Sequence, residues 1–231
     1  MKLKQLVLAA GCVFSLHAFA GTMGEVAQYD KSWSIIGGVG YTWFENGYKG
    51  GPSADPVAQG AIGDGQTPFL RIAIGKDLGV WDYGYMQHVR WGGEIGVQTG
   101  NIQRLSASQA VLDELGGLPI QVNIKPMIDL LATATVAPME GIPAFGLLKA
   151  GIAYRRLQIN ERVTVNDLSQ VAFDMQAGLG MDVSEHGKLS LVYQGIFGGS
   201  TNFTPNTVDS TGHISAIPIQ NGILLNLAFV V

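Results

Sequence analysis

Three observations predict an all-β chain folded as an eight-stranded antiparallel up-and-down transmembrane β-barrel: eight stretches of alternating apolar and polar residues, 32 glycines, and no long apolar run after the N-terminus. The last stretch states the pattern most plainly. Ile223, Leu225, Leu227, Phe229 and Val231 share one face, and Gly222, Leu224, Asn226, Ala228 and Val230 the other. Strands turn successive side chains to opposite faces, so a period of two with one consistently apolar face suits a wall between lipid and lumen. Glycine is costly in helices but suits such a wall, where inward side chains crowd a narrow interior. With 47% hydrophobic and 14% charged residues the chain is too apolar for a disordered protein, yet no later segment approaches the roughly 18 apolar residues of a spanning helix.

Residues 1–20 read as a secretory signal peptide and 21–231 as the outer-membrane barrel domain. Lys2 and Lys4 give the basic start, Leu6 to Phe19 the apolar run, and Ala18 and Ala20 the small-x-small site before Gly21. Leu8-Ala9-Ala10-Gly11-Cys12 resembles a lipoprotein processing site. The apolar run before it is short, however, and Ala18-Phe19-Ala20 follows at ordinary spacing. Loss of the segment removes Cys12, which excludes disulfide and thiol chemistry, and makes the chain more acidic than its formal −4. An acidic chain without a basic face excludes nucleic acid as a partner.

The first strand spans about Ser32 to Phe44, with Trp33, Ile35, Val39, Tyr41 and Trp43 opposite Ser34, Gly38, Gly40 and Thr42. Aromatics near both ends of the stripe suit the two interfacial girdles of a bilayer. Glu45 to Thr67, rich in Gly, Pro, Asp and Asn, reads as a surface loop. Strand two begins near Pro68, with Leu70, Ile72 and Ile74 against Arg71 and Ala73. Trp81, Tyr83 and Tyr85 then alternate through a turn and read as the periplasmic girdle. Strand three covers about Val89 to Thr99, with Arg90, Gly92, Glu94, Gly96 and Gln98 on its polar face.

Asn101 to Pro119 reads as a second loop, with a short helix at Ser106 to Leu115 suggested by the capping serine and the spacing of Val111, Leu112 and Leu115. In strand four, Ile120 to Val136, Pro126 must sit where a ladder bond can be lost. Strand five sets Leu148, Ala150, Ile152 and Tyr154 against Lys149, Gly151, Ala153 and Arg155. In strand six Val171, Phe173, Met175, Leu179 and Met181 oppose Asp174, Gln176, Gly178, Gly180 and Asp182. Ser184 to Lys188 turns into strand seven, Leu189 to Phe197, and a long loop, Gly198 to Ala216, precedes strand eight. With both termini periplasmic, the long connections all fall outside, as bacterial barrels arrange them.

The polar face separates this reading from a secreted lipocalin-like barrel. A face in water carries Lys, Glu and Thr, whereas strands three and six offer glycine and hydrogen-bonding residues that suit a closed interior. On the strand pattern, the signal segment and the terminal strand, the chain resembles the small eight-stranded outer-membrane barrels of the opacity-protein-like and OmpX/OmpA-type group, from Trp33 to Val231. That group normally ends in Phe; here Val231 is last and Phe229 the nearest aromatic. The resemblance implies location in the cell outer membrane, contact with outer-membrane lipids and lipopolysaccharide, engagement of the barrel-assembly machinery through the terminal strand, and outer loops that meet a host or surface ligand.

By parity the inward charges are Arg71, Arg90, Lys125, Lys149 and Arg155 with Glu94, Asp129, Asp174 and Asp182. Nearly balanced signs in a low-dielectric tube should pair, because an unpaired buried charge is very costly. The expectation is a structural salt-bridge network within a non-enzymatic scaffold, with no catalytic residue, metal or cofactor. The alternative is a narrow channel for small solutes lined by the same residues. A third reading, an outer-leaflet lipid-modifying enzyme, rests on His213 near Asp209, Ser210 and Ser215, whose spacing matches no nucleophile motif. His88 and His186 fall on the periplasmic side. A loop calcium site from Glu45, Asp55 and Asp64 reads instead as solvated carboxylates, and the Asn202-Phe203-Thr204 sequon as chance.

Overall fold

A computed structural model describes residues 32–45, 67–82, 88–105, 120–137, 143–160, 164–165, 167–199, 203–206 and 211–231. The signal peptide, the Ser106–Leu115 helix, Tyr83, Tyr85, Asp55, Asp64, Asn202, Asp209 and Ser210 lie outside the described residues. The strands are β1 (Trp33–Glu45), β2 (Thr67–Asp82), β3 (His88–Gln98), β4 (Asn101–Leu105), β5 (Ile120–Ile124), β6 (Met127–Ala137), β7 (Ala144–Asn160), β8 (Thr164–Val165), β9 (Leu168–Asp182), β10 (Gly187–Phe197), β11 (Phe203–Asn206), β12 (Thr211–Ile214) and β13 (Ile219–Val230).

Antiparallel pairing runs β7, β6, β3, β2, β1, β13, β10, β9, and β9 returns to β7, so among the described residues an eight-stranded ring closes on itself. The seam between the first and last strands is fully paired, from Ser34 opposite Val230 to Glu45 opposite Ile219. Closure leaves the ring no free edge, so its ladders pair strand to strand all the way round, as a bilayer core demands.

Burial follows the sequence alternation, inverted relative to a soluble barrel. On β9, Val171, Phe173, Met175 and Leu179 are exposed while Ala172, Asp174 and Gln176 are buried. The same holds for Ile72 and Ile74 against Arg71 and Ala73, and for Ile223, Leu225 and Leu227 against Leu224 and Asn226. A wall that exposes its large apolar side chains and buries its charges is stable only where lipid surrounds it, so the fold itself separates the membrane barrel from the lipocalin-like one. Aromatics mark both rims: Trp81 stacks on Trp91 at 5.8 Å, and Trp43 lies 6.3 Å from Tyr193.

The interior is packed. Phe69, Val192 and Leu224 form one apolar cluster with Leu147 against it, and Met127, Ala153, Ala172 and Ile196 another. Glycine opposite an aromatic ring makes this possible. A Cβ on Gly40 would come within 2.5 Å of the Phe69 ring, and Gly180 faces Phe145 in the same way.

Two expectations are corrected. Asn101–Pro119 begins as strand, not loop, because β4 pairs with β5 from Asn101 opposite Ile124 to Leu105 opposite Ile120. The hairpin continues past a break at Thr99–Gly100 and Lys125–Pro126, where Pro126 cannot donate to the ladder. The Gly198–Ala216 loop likewise contains the β11–β12 hairpin, and β12 runs parallel to β8 from the Asn160–Ser169 connection. Loop backbone groups need partners too, and these segments supply one another. On β2 the register slips between Asp77 and Gly79, and Gly79 fits against the Trp91 indole, 2.8 Å from Nε1 for a built Cβ.

Candidate functional site

The lumen holds the chemistry. Parity turns Arg71 of β2, Glu94 of β3, Asp129 of β6 and Lys149 of β7 inward, and each is 3% exposed or less. Arg71 Nη1 donates to Glu94 Oε1 at 2.6 Å, its Nε to Asp129 Oδ2 at 3.0 Å, and its Nη2 to Asp129 Oδ1. Lys149 Nζ donates to Glu94 Oε2 at 2.7 Å. Glu94 therefore links two cations, one through each oxygen, while Arg71 grips Asp129 with two donors, the charge-assisted geometry that is strongest in a dry interior. Two cations against two anions leave the cluster neutral, which makes its burial tolerable; removal of any one member would strand a charge.

Beside it, Asp174 accepts from Gln194 Nε2 at 2.8 Å, with Gln176 Nε2 at 3.5 Å. Arg155, fully buried, reaches the long-loop mouth: Nη1 donates to the Pro218 carbonyl at 2.9 Å and Nη2 to the Ile217 carbonyl at 3.4 Å. Gln170 Oε1 lies 3.4 Å from Arg155 Nη2 and accepts from the Ile217 amide at 3.2 Å. The segment before β13 is thus drawn into the mouth, where Ile217 is fully buried.

Of the nine charges assigned by parity, the structure brings together Arg71, Glu94, Asp129 and Lys149, with Asp174 and Arg155 next to them along the lumen. Arg90 and Asp182 stand apart, half-buried at the short-turn end, where Lys188 joins them. Lys125 is half-buried at the β5–β6 break, where Pro126 interrupts the alternation, and the lumen pairs described do not include it. Lys188 reads from the sequence as the end of a turn, whereas it pairs with Asp182 in the β9–β10 ladder, one residue before the expected start of the strand. Gln170 and Gln194 carry no charge and give no signal of their own, whereas Gln98 lies on the polar face expected for strand three and is buried. His88 opens β3, His186 lies in the β9–β10 turn, and His213 is exposed on β12.

No family model and no curated protein sequence matches this chain. Among solved structures the chain is similar to the outer membrane protein OprG from Pseudomonas aeruginosa, at 9% identity over 90% of this chain and 99% of that one, with a TM-score of 0.57. Neisserial surface protein A matches at 8% identity over 87% of this chain and 99% of that one, with a TM-score of 0.43. The outer membrane protease OmpT from Escherichia coli matches at 9% identity over 91% and 99%, with a TM-score of 0.40. Identity this low speaks for the fold. By that fold and its apolar girdle, the chain has the architecture of the small eight-stranded outer-membrane β-barrels.

Proposed function

We propose that the protein is a closed, non-enzymatic scaffold of the outer membrane that carries its long loops to the cell surface for interaction or envelope integrity. The observation that supports this reading is the filled lumen: Ile217 and Pro218 held by Arg155 at one level, and the Arg71–Glu94–Lys149–Asp129 cluster below it. A solute pore needs a continuous wet path, and an ion cluster stabilised by exclusion of water opposes one. Outer-membrane lipid and lipopolysaccharide form the surroundings of the apolar girdle, the assembly machinery engages β13, and a host or surface ligand meets the long loops.

Liposome swelling tests the reading. Vesicles carrying the folded barrel, diluted into iso-osmotic arabinose, should swell no faster than empty vesicles. Swelling that scales with protein content and falls with sugar size establishes a channel instead.

A further inference from the structure

The outer wall changes character at the long-loop end. Ile128, Tyr154 and Val171 stand side by side across β6, β7 and β9, all exposed on the lipid face. In the next row toward the loops stand Lys125, Arg156 and Ser169: the Lys125 amide donates to the Arg156 carbonyl at 2.9 Å, and Ser169 is the β9 ladder partner of Arg156.

The register explains why two cations fall together here. Ile124 pairs with Leu157 and Ile128 with Tyr154, so Lys125, Pro126 and Met127 span the place of only Arg155 and Arg156. That extra residue is a β-bulge at the proline. Ile124 and Leu157 are both buried, as are Met127 and Arg155, and alternation between these inward pairs turns Lys125 and Arg156 to the outer face together.

Both charges are open to a partner. The Arg156 side chain is about half exposed and meets an equally open Asp167 only at 3.6 Å, a pair of the kind that holds little in water. Among the described residues Lys125 has no carboxylate within ion-pair distance. One row further out, Asn123 pairs with Gln158, both uncharged and half-buried. Read outward, the wall therefore runs from apolar to cationic to amide. A lipopolysaccharide molecule runs in the same order, from acyl chains to phosphorylated sugar to sugar hydroxyls.

We propose that Lys125 and Arg156 clamp a phosphate of lipopolysaccharide in the outer leaflet, with the acyl chains along Ile128, Tyr154 and Val171. The site names a partner for the scaffold and rests on that reading's placement of the long loops outside. Arginine offers a planar fork to phosphate oxygens, and the neighbouring lysine adds a second charge at the same anionic surface.

The test is native mass spectrometry of the folded barrel released from detergent, with deep-rough lipopolysaccharide as the ligand and phosphatidylglycerol at matched concentrations as the comparison. Lipopolysaccharide should bind saturably, and Lys125→Gln with Arg156→Gln should weaken it about ten-fold or more. Enzymatic removal of the lipid's phosphates should do the same. Lys76→Gln removes a cation that lies over Trp33 at the short-turn end, 4.7 Å from the ring centroid, and should leave binding unchanged. Binding unaltered in the double variant, equal binding of phosphatidylglycerol, or an equal loss in Lys76→Gln overturns the proposal. A swelling result in favour of a channel would leave these affinities as they are, so the two readings fail separately.

Discussion

Arg71 and Asp129 meet across a strand that lies between them: β3 separates β2 from β6, and the bidentate pair forms over Gly96 of that middle strand. A Cβ on Gly96 would stand 2.7 Å from Asp129 Oδ1 and 2.8 Å from Arg71 Cζ, so the ion pair exists because this position has no side chain. We expect Gly96→Val to destabilise the barrel by about 1–3 kcal/mol through overpacking, read as a lower urea midpoint for folding into vesicles. An unchanged midpoint would mean the pair is not where the structure has it.

Charge balance makes a second, sharper expectation. Arg71→Met leaves Glu94 and Asp129 with one cation between them and should cost about 3–5 kcal/mol, whereas adding Asp129→Leu restores neutrality and should recover part of the loss. Equilibrium unfolding of the two variants checks this. A double variant no more stable than the single one would show that the pair is not energetically coupled.

The lipid face can be probed by depth. Leu225 lies midway along β13, and Leu179, 74% exposed, nearer the short-turn end of β9. Arginine at Leu225 should cost about 2–4 kcal/mol and at Leu179 less, while Gln176→Ser, inside the lumen, should leave assembly intact. Heat-modifiable mobility on gels reports assembly. Equal tolerance of arginine at Leu225 and serine at Gln176 would contradict the register.

Arg155 ties down the mouth. Arg155→Met should remove two charge-assisted bonds to the Ile217 and Pro218 carbonyls and speed hydrogen exchange at the Ile217 amide by about ten-fold or more. The exchange of β1 amides should stay as it was, since their seam with β13 is untouched. Unaltered exchange at Ile217 would show that the segment is held by packing alone.

The sequence made the wall legible and the contents of the lumen less so. Period-two alternation identifies which side of a strand Arg71, Glu94, Lys149 and Asp174 occupy, because side-chain direction in a strand is local. Which of them touch is not local. Arg71 reaches Asp129 two strands away because tilt and stagger in a closed barrel set the heights of the strands, and no single strand encodes that stagger. Alternation is also interrupted where the backbone breaks, at Pro126 beside Lys125 and at the turn that Lys188 borders before β10. Strand pairing at Asn101–Leu105 and the insertion of Ile217 depend on loop backbones finding partners, which local composition does not announce.

The closed lumen is the claim on which the functional reading stands, and single-channel recording in planar bilayers tests it most directly. The wild-type barrel should give no steady conductance at either polarity, and a variant emptied at both levels, Arg155→Ala with Lys149→Ala and Glu94→Ala, should begin to flicker open if it inserts. Reproducible open steps in the wild-type protein, altered in size by Glu94→Gln, would contradict the scaffold and establish a channel.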